Sequence, residues 1–108
     1  MPKICVVTTT VGSRDAARDL GRRLLDRKLV ACAQVVGPVE SAYWWKGALE
    51  RAEEWSCIVK TAPWASRAVA EDIATNHPYE VPEILVSEVE AGDAYATWIA
   101  SVVGNPPA

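Results

Sequence analysis

Val39-Glu40-Ser41-Ala42-Tyr43-Trp44-Trp45-Lys46-Gly47 sets three adjacent aromatic residues directly before a turn signal. Successive side chains of an extended chain point to opposite faces, so at least one of these rings must face away from its strand's core side. Lys46-Gly47 turns the chain, and the segments on either side read as the two arms of a hairpin. On the N-terminal side, residues 30–36 are strand-like, Gly37-Pro38 interrupts, and residues 39–45 are extended again. That pattern predicts one long strand with a kink or bulge. On the C-terminal side, Arg51, Glu53, Trp55, Cys57 and Val59 alternate with Ala52, Glu54, Ser56, Ile58 and Lys60, which predicts a strand over residues 50–61.

The rest of the chain arranges itself around this hairpin. Residues 3–10 are rich in β-branched side chains and read as a mostly buried strand. Gly12-Ser13 breaks it, with Ser13 or Thr10 available to cap a helix. Over residues 15–28 the apolar positions Ala16, Ala17, Leu20, Leu24 and Leu25 recur with helical spacing. Pro63 suits the first turn of a second helix, whose period runs through Val69, Asp72 and Ile73 to Asn76, where His77-Pro78 stops it. Residues 83–89 predict a fourth strand. Asp93 caps a last helix carrying Tyr95, Trp98, Ile99 and Val102, and residues 104–108 are expected to fray. The order β-α-β-β-α-β plus a terminal helix predicts an α+β, ferredoxin-like split βαβ sandwich forming a single domain over residues 1–108.

The hairpin is too long for such a domain. A chain of 108 residues should have a radius of gyration of ~13 Å and hence a diameter near ~35 Å. Residues 31–45 fully extended reach ~50 Å. Unless the break at Gly37-Pro38 folds the arm back over its own sheet, an apolar ribbon bearing Tyr43, Trp44, Trp45 and Trp55 overhangs and calls for another chain to cover it.

Composition narrows the function. Half the residues are hydrophobic, 23% are charged, and the formal net charge is -3, so no basic stripe exists to replace phosphate counterions and nucleic acid is not expected as a partner. Arg14, Arg18, Arg22, Arg23, Arg27 and Lys28 cluster, but Asp15, Asp19 and Asp26 interleave with them, the pattern of a solvated helix face with local ion pairs. No apolar run approaches ~18 residues and the first residues lack the pattern of a signal peptide, which predicts no membrane partner and a cytoplasmic location. Cys5, Cys32 and Cys57 are odd in number and far apart, and none forms a Cys-x-x-Cys pair; they read as small buried hydrophobes. No nucleophile elbow, phosphate-cradling glycine loop or Ser/His/Asp set appears, so no catalytic residues are assigned and the chain reads as a binding protein rather than an enzyme.

The polar counterpart of the aromatic turn is His77-Pro78-Tyr79-Glu80-Val81-Pro82-Glu83. It holds the only histidine, directly before the first of two prolines that stiffen the backbone. His77 has two readings: a cap at the end of the second helix, or a ligand. Glu80 and Glu83 read as solvated or as paired with Lys60 and Arg51. Trp44-Trp45 reads as interface core or as a stacking platform.

These residues give the chain its family likeness. It resembles the CutA family of divalent-cation tolerance proteins along nearly its whole length. The matching pieces are Lys28-Leu29-Val30-Ala31-Cys32, Val39 through Gly47, Ile58-Val59-Lys60-Thr61 and His77 through Ile84. The resemblance implies the ferredoxin-like fold and a homotrimer in which long hairpins pair between subunits. It also implies a role in the response to metal ions, with copper(II) or another divalent cation bound at or near the clefts between subunits. Members that look like copper binders carry a cysteine near the end of the first strand and a His-His pair before Pro-Tyr. Here those positions are Thr9 and Asn76-His77, so His77 carries over as the metal ligand with Glu80 and Glu83 as helpers. Thr9 and Asn76 are feeble ligands for Cu²⁺, and weak binding follows. The family's trimer in turn resembles the PII-type signalling trimers, which take small molecules in clefts between subunits. The cleft candidates here are Thr9, Tyr43, Trp45, Lys60, Tyr79 and Glu80, and a protein scaffold without metal is the remaining alternative.

Overall fold

A computed structural model describes residues 1–106. The elements are β1 (Lys3–Val11), α1 (Arg14–Asp26), β2 (Cys32–Trp45), β3 (Ala48–Thr61), a 3-10 turn (Pro63–Ala65) leading into α2 (Ser66–Asn76), β4 (Leu85–Glu90) and α3 (Asp93–Val103). The strands form one antiparallel sheet in the order β2-β3-β1-β4. This is the expected split βαβ arrangement with an added C-terminal helix.

Strand alternation divides the core. The odd positions Cys5, Val7, Thr9 and Val11 of β1 are all buried. Val7 and Val11 pack with Leu20 and Leu24 of α1, Cys57 and Val59 of β3, and Val69 and Ile73 of α2. The opposite face is covered at one end only, where Ile4 meets Ala62, Ala91 and Ile99 of α3. Leu85 and Val89, paired with Thr8 and Ile4, lie on that same face and stay exposed.

Local chemistry sets the boundaries. Ser13 is extended and its hydroxyl accepts the Ala16 N–H at 3.0 Å, a side-chain cap that starts α1. α3 begins differently from expectation: Gly92 holds the cap position without a side-chain bond, and Asp93 lies in the first turn. An acid there still favours the helix dipole. Past α3, the Gly104 carbonyl accepts the Trp64 indole N–H at 3.0 Å. Pro107 and Ala108 lie outside the described residues.

The hairpin projects as its length requires. Pairing of β1 with β3 ends at Val11 opposite Trp55, while β2 and β3 stay paired out to Trp45 opposite Ala48. The distal hairpin thus has no third strand beside it, and the molecule measures 46 × 25 × 23 Å. The arm does not fold back over its sheet. Its register shifts between Val36 and Val39, the bulge expected at Gly37-Pro38. At the tip Lys46 and Gly47 have φ of 50° and 81°, the pair of positive angles that a tight two-residue hairpin turn demands.

Candidate functional site

Proline at 78 pushes the preceding residue out of the helical region, so α2 stops at Asn76 and His77 is extended, with φ -79° and ψ 137°. The turn carries the imidazole to the end of β1. Its Nδ1 accepts the Tyr79 backbone N–H at 3.1 Å, and its Nε2 lies 2.9 Å from the Thr10 carbonyl. One nitrogen accepting while the other meets a carbonyl is the neutral imidazole protonated at Nε2, which donates to Thr10. His77 occupies the helix-end position, but its ring stitches the turn to β1 rather than closing helix carbonyls.

Tyr79 continues the chain of contacts. Its ring meets the His77 ring edge-on at 4.8 Å, and its hydroxyl donates to Glu54 Oε2 at 2.8 Å. Glu54 lies on β3 just past the last β1 pair and is 6% exposed. Burial, then the Glu54 hydrogen bond and charge, push the Tyr79 phenol up to about 12. The neutral phenol is therefore the form that this corner holds.

The candidate residues divide between this corner and other places. Glu80 reaches Lys46 at the arm's tip, 4.0 Å apart with both side chains in solvent. It does not pair with Lys60, whose ammonium donates to Gln34 Oε1. Arg51 faces Glu40 across the arm at 3.9 Å rather than Glu80 or Glu83. Glu83 is exposed and has no charged partner among the described residues. Trp45 is half-buried with the Lys46 ammonium 5.6 Å from its ring centroid; Tyr43 and Trp44 are exposed, Trp44 at 74%. Thr9 is fully buried on the helix-facing side of β1, opposite Cys57. Lys60 pairs with Val6 and so points to the other side of the sheet. Within one chain Thr9 and Lys60 cannot share a cleft.

The ligand set for a metal is correspondingly thin. Among the described residues no group of three or more His, Cys, Asp or Glu side chains is placed to hold a metal ion. His77 already uses both ring nitrogens. Cys5 and Cys57 are buried, and burial pushes the Cys57 thiol up to about 11. Cys32 is half-buried rather than buried as the sequence suggests.

Two polar residues that matter escaped the sequence reading. Glu54 falls in the alternation of residues 50–61 beside two other glutamates, Glu50 and Glu53, and nothing nearby in sequence marks its bond to Tyr79. Asp72 had a signal, since it falls on the apolar period of α2. Its carboxylate, with the side chain 2% exposed, receives Arg23 Nε and Nη2 at 3.0 and 2.8 Å and also Arg27. That ion cluster ties α2 to α1, whose acids Asp15 and Asp19 form none of the expected pairs among the described residues; within α1 the described pair is Arg22 with Asp26 at 2.9 Å.

Comparison with known proteins adds to this geometry. The sequence profile of the CutA1 divalent ion tolerance proteins matches residues 5–102. The divalent-cation tolerance protein CutA of Citrobacter koseri is 37% identical over 100 residues, spanning 92% of this chain and 87% of that one. Among solved structures, the divalent ion tolerance protein CutA1 of Ehrlichia chaffeensis superposes with a TM-score of 0.90 at 26% identity, covering 97% of this chain and 99% of the other. The periplasmic divalent cation tolerance protein CutA of Archaeoglobus fulgidus gives 0.88 at 31% identity, over 94% and 99%.

Proposed function

Because the chain belongs to the CutA1 divalent ion tolerance protein family, we propose that it serves divalent-cation tolerance as a binding protein rather than an enzyme, working as a cytoplasmic homotrimer that meets copper(II) weakly at or near the clefts between subunits. The observation that carries the assembly is the overhanging arm. Residues 39–54 have no strand beyond each other to pack on, and they present Tyr43, Trp44 and Leu49 to solvent. The partly covered sheet face adds Leu85 and Val89. Large apolar side chains left exposed on a projecting arm in this way mark an interface. The cytoplasm is our reading of three free cysteines, although the Archaeoglobus fulgidus relative is named periplasmic.

The residues present do not fit a resident metal centre. His77 would have to break a hydrogen bond to offer either nitrogen, and among the described residues no second strong ligand stands beside it. Cation contact is therefore weak and incidental to a self-satisfied corner. The alternative, a signalling trimer taking a small molecule, draws support from the same observation: imidazole, phenol and carboxylate already organise one another, as a recognition surface does.

Calorimetric titration of Cu²⁺ into the protein and into His77→Ala tests the reading. Dissociation constants on the order of micromolar or weaker, about 8 kcal/mol, lost or further weakened in the variant, are expected. Nanomolar binding would overturn the weak-site reading, and equal binding in the two proteins would remove His77 from it.

A further inference from the structure

A concavity lies between α1 and β2. It is a groove of about 720 Å³, within the range of small-molecule sites. Arg14, Arg18 and Arg22 line one wall at i, i+4 and i+8, so their backbone positions recur every ~6 Å along it. Trp55 and Val35 line the sheet side. The Trp55 ring is seated against the backbone of Gly37, where a Cβ would come within 2.6 Å of ring atoms. The Arg14 guanidinium sits 5.8 Å from its centroid.

Charge in the groove is unevenly spent. Arg22 is tied to Asp26, and Asp19 also faces the groove. Among the described residues Arg14 and Arg18 have no carboxylate partner. Two guanidinium forks without a carboxylate partner among the described residues, one of them at the ring itself, make a composite surface with the held indole. The forks match phosphate oxygens; the indole face matches a planar ring. A simple anion would leave the ring unused, and a neutral aromatic would leave the guanidiniums unmatched. The acidic chain and the short wall exclude a long polyanion.

We propose that this groove binds a nucleoside diphosphate, with its base stacked on Trp55 and its phosphates on Arg14 and Arg18. The site is separate from the His77 corner and stands independently of the cation reading.

The test is calorimetry on the full chain with ADP, adenosine and inorganic pyrophosphate in low-salt buffer containing EDTA. ADP should bind saturably, with adenosine and pyrophosphate each at least about tenfold weaker. The double variant Arg14→Gln/Arg18→Gln should weaken ADP at least about tenfold while keeping the wild-type melting curve, since both side chains are exposed. Its Cu²⁺ titration should match wild type, which separates failure here from failure of the cation reading. No saturable ADP binding, undiminished binding in the variant, or pyrophosphate binding as tightly as ADP would each overturn the proposal.

Discussion

Thr9 and Tyr79 show how single polar atoms decide behaviour at buried positions. The Thr9 hydroxyl is fully buried and has no hydrogen-bond partner among the described residues. Leaving such a group unmade costs about 1–3 kcal/mol, so Thr9→Val, which swaps the hydroxyl for a methyl of similar shape, should stabilise the fold by about 1–2 kcal/mol in urea unfolding. Tyr79 is the opposite case, a hydroxyl whose bond is made. Its folded pKa is raised to about 12, above the ordinary phenol near ~10. The raised value favours the protonated form, so its contribution to stability is complete below pH ~10 and is lost as pH rises through about 12. Melting temperature followed between pH 9 and 12 should fall more steeply for wild type than for Tyr79→Phe. Parallel curves would mean that the Glu54 bond contributes nothing in solution.

Elements are joined here by a few contacts that their own sequences do not announce. The arm departs from the sheet at its bulge, where Trp55 leans on Gly37. A methyl group at position 37 would collide with the indole, and overpacking of this kind costs about 1–3 kcal/mol. Gly37→Ala should therefore lose that much stability in urea unfolding and alter tryptophan emission. An unchanged midpoint would show that the indole moves aside freely. On the other side of the sheet's cover, the Asp72 cluster with Arg23 and Arg27 sets α2 against α1, and that placement carries the His77 turn to the end of β1.

The whole molecule is shaped for company. At 46 Å long and 25 Å wide it exceeds a compact chain of its length because the hairpin stands clear. Sedimentation at micromolar concentration should show one species near three times 11.7 kDa. Trp44, the most exposed aromatic ring of the arm, should be covered in that assembly, and buried aromatics cost about 3–5 kcal/mol when truncated. Trp44→Ala should therefore dissociate on dilution where wild type does not. A monomer in the wild type would remove the assembly, and a trimer indifferent to Trp44→Ala would place that ring in solvent.

Periodicity and punctuation in the sequence determined the element order, the bulge at Gly37-Pro38, the turn at Lys46-Gly47 and the excess length of the arm. Each of these rests on local sterics or on side-chain alternation, which neighbouring residues specify by themselves. The candidate corner was legible only in part: His77 and Tyr79 announced themselves through the flanking prolines, but their partners did not. Tertiary structure alone decided that Tyr79 meets Glu54, that both His77 nitrogens are occupied, that Asp72 gathers two arginines, and that Thr9 and Lys60 lie on opposite faces. Apart from the local Tyr79 N–H to His77 bond, those outcomes join residues 25 to 67 positions apart or depend on which side of a strand faces the helices. Long-range hydrogen bonds leave no periodic trace in a chain, because only the packing of finished elements brings their two ends within 3 Å.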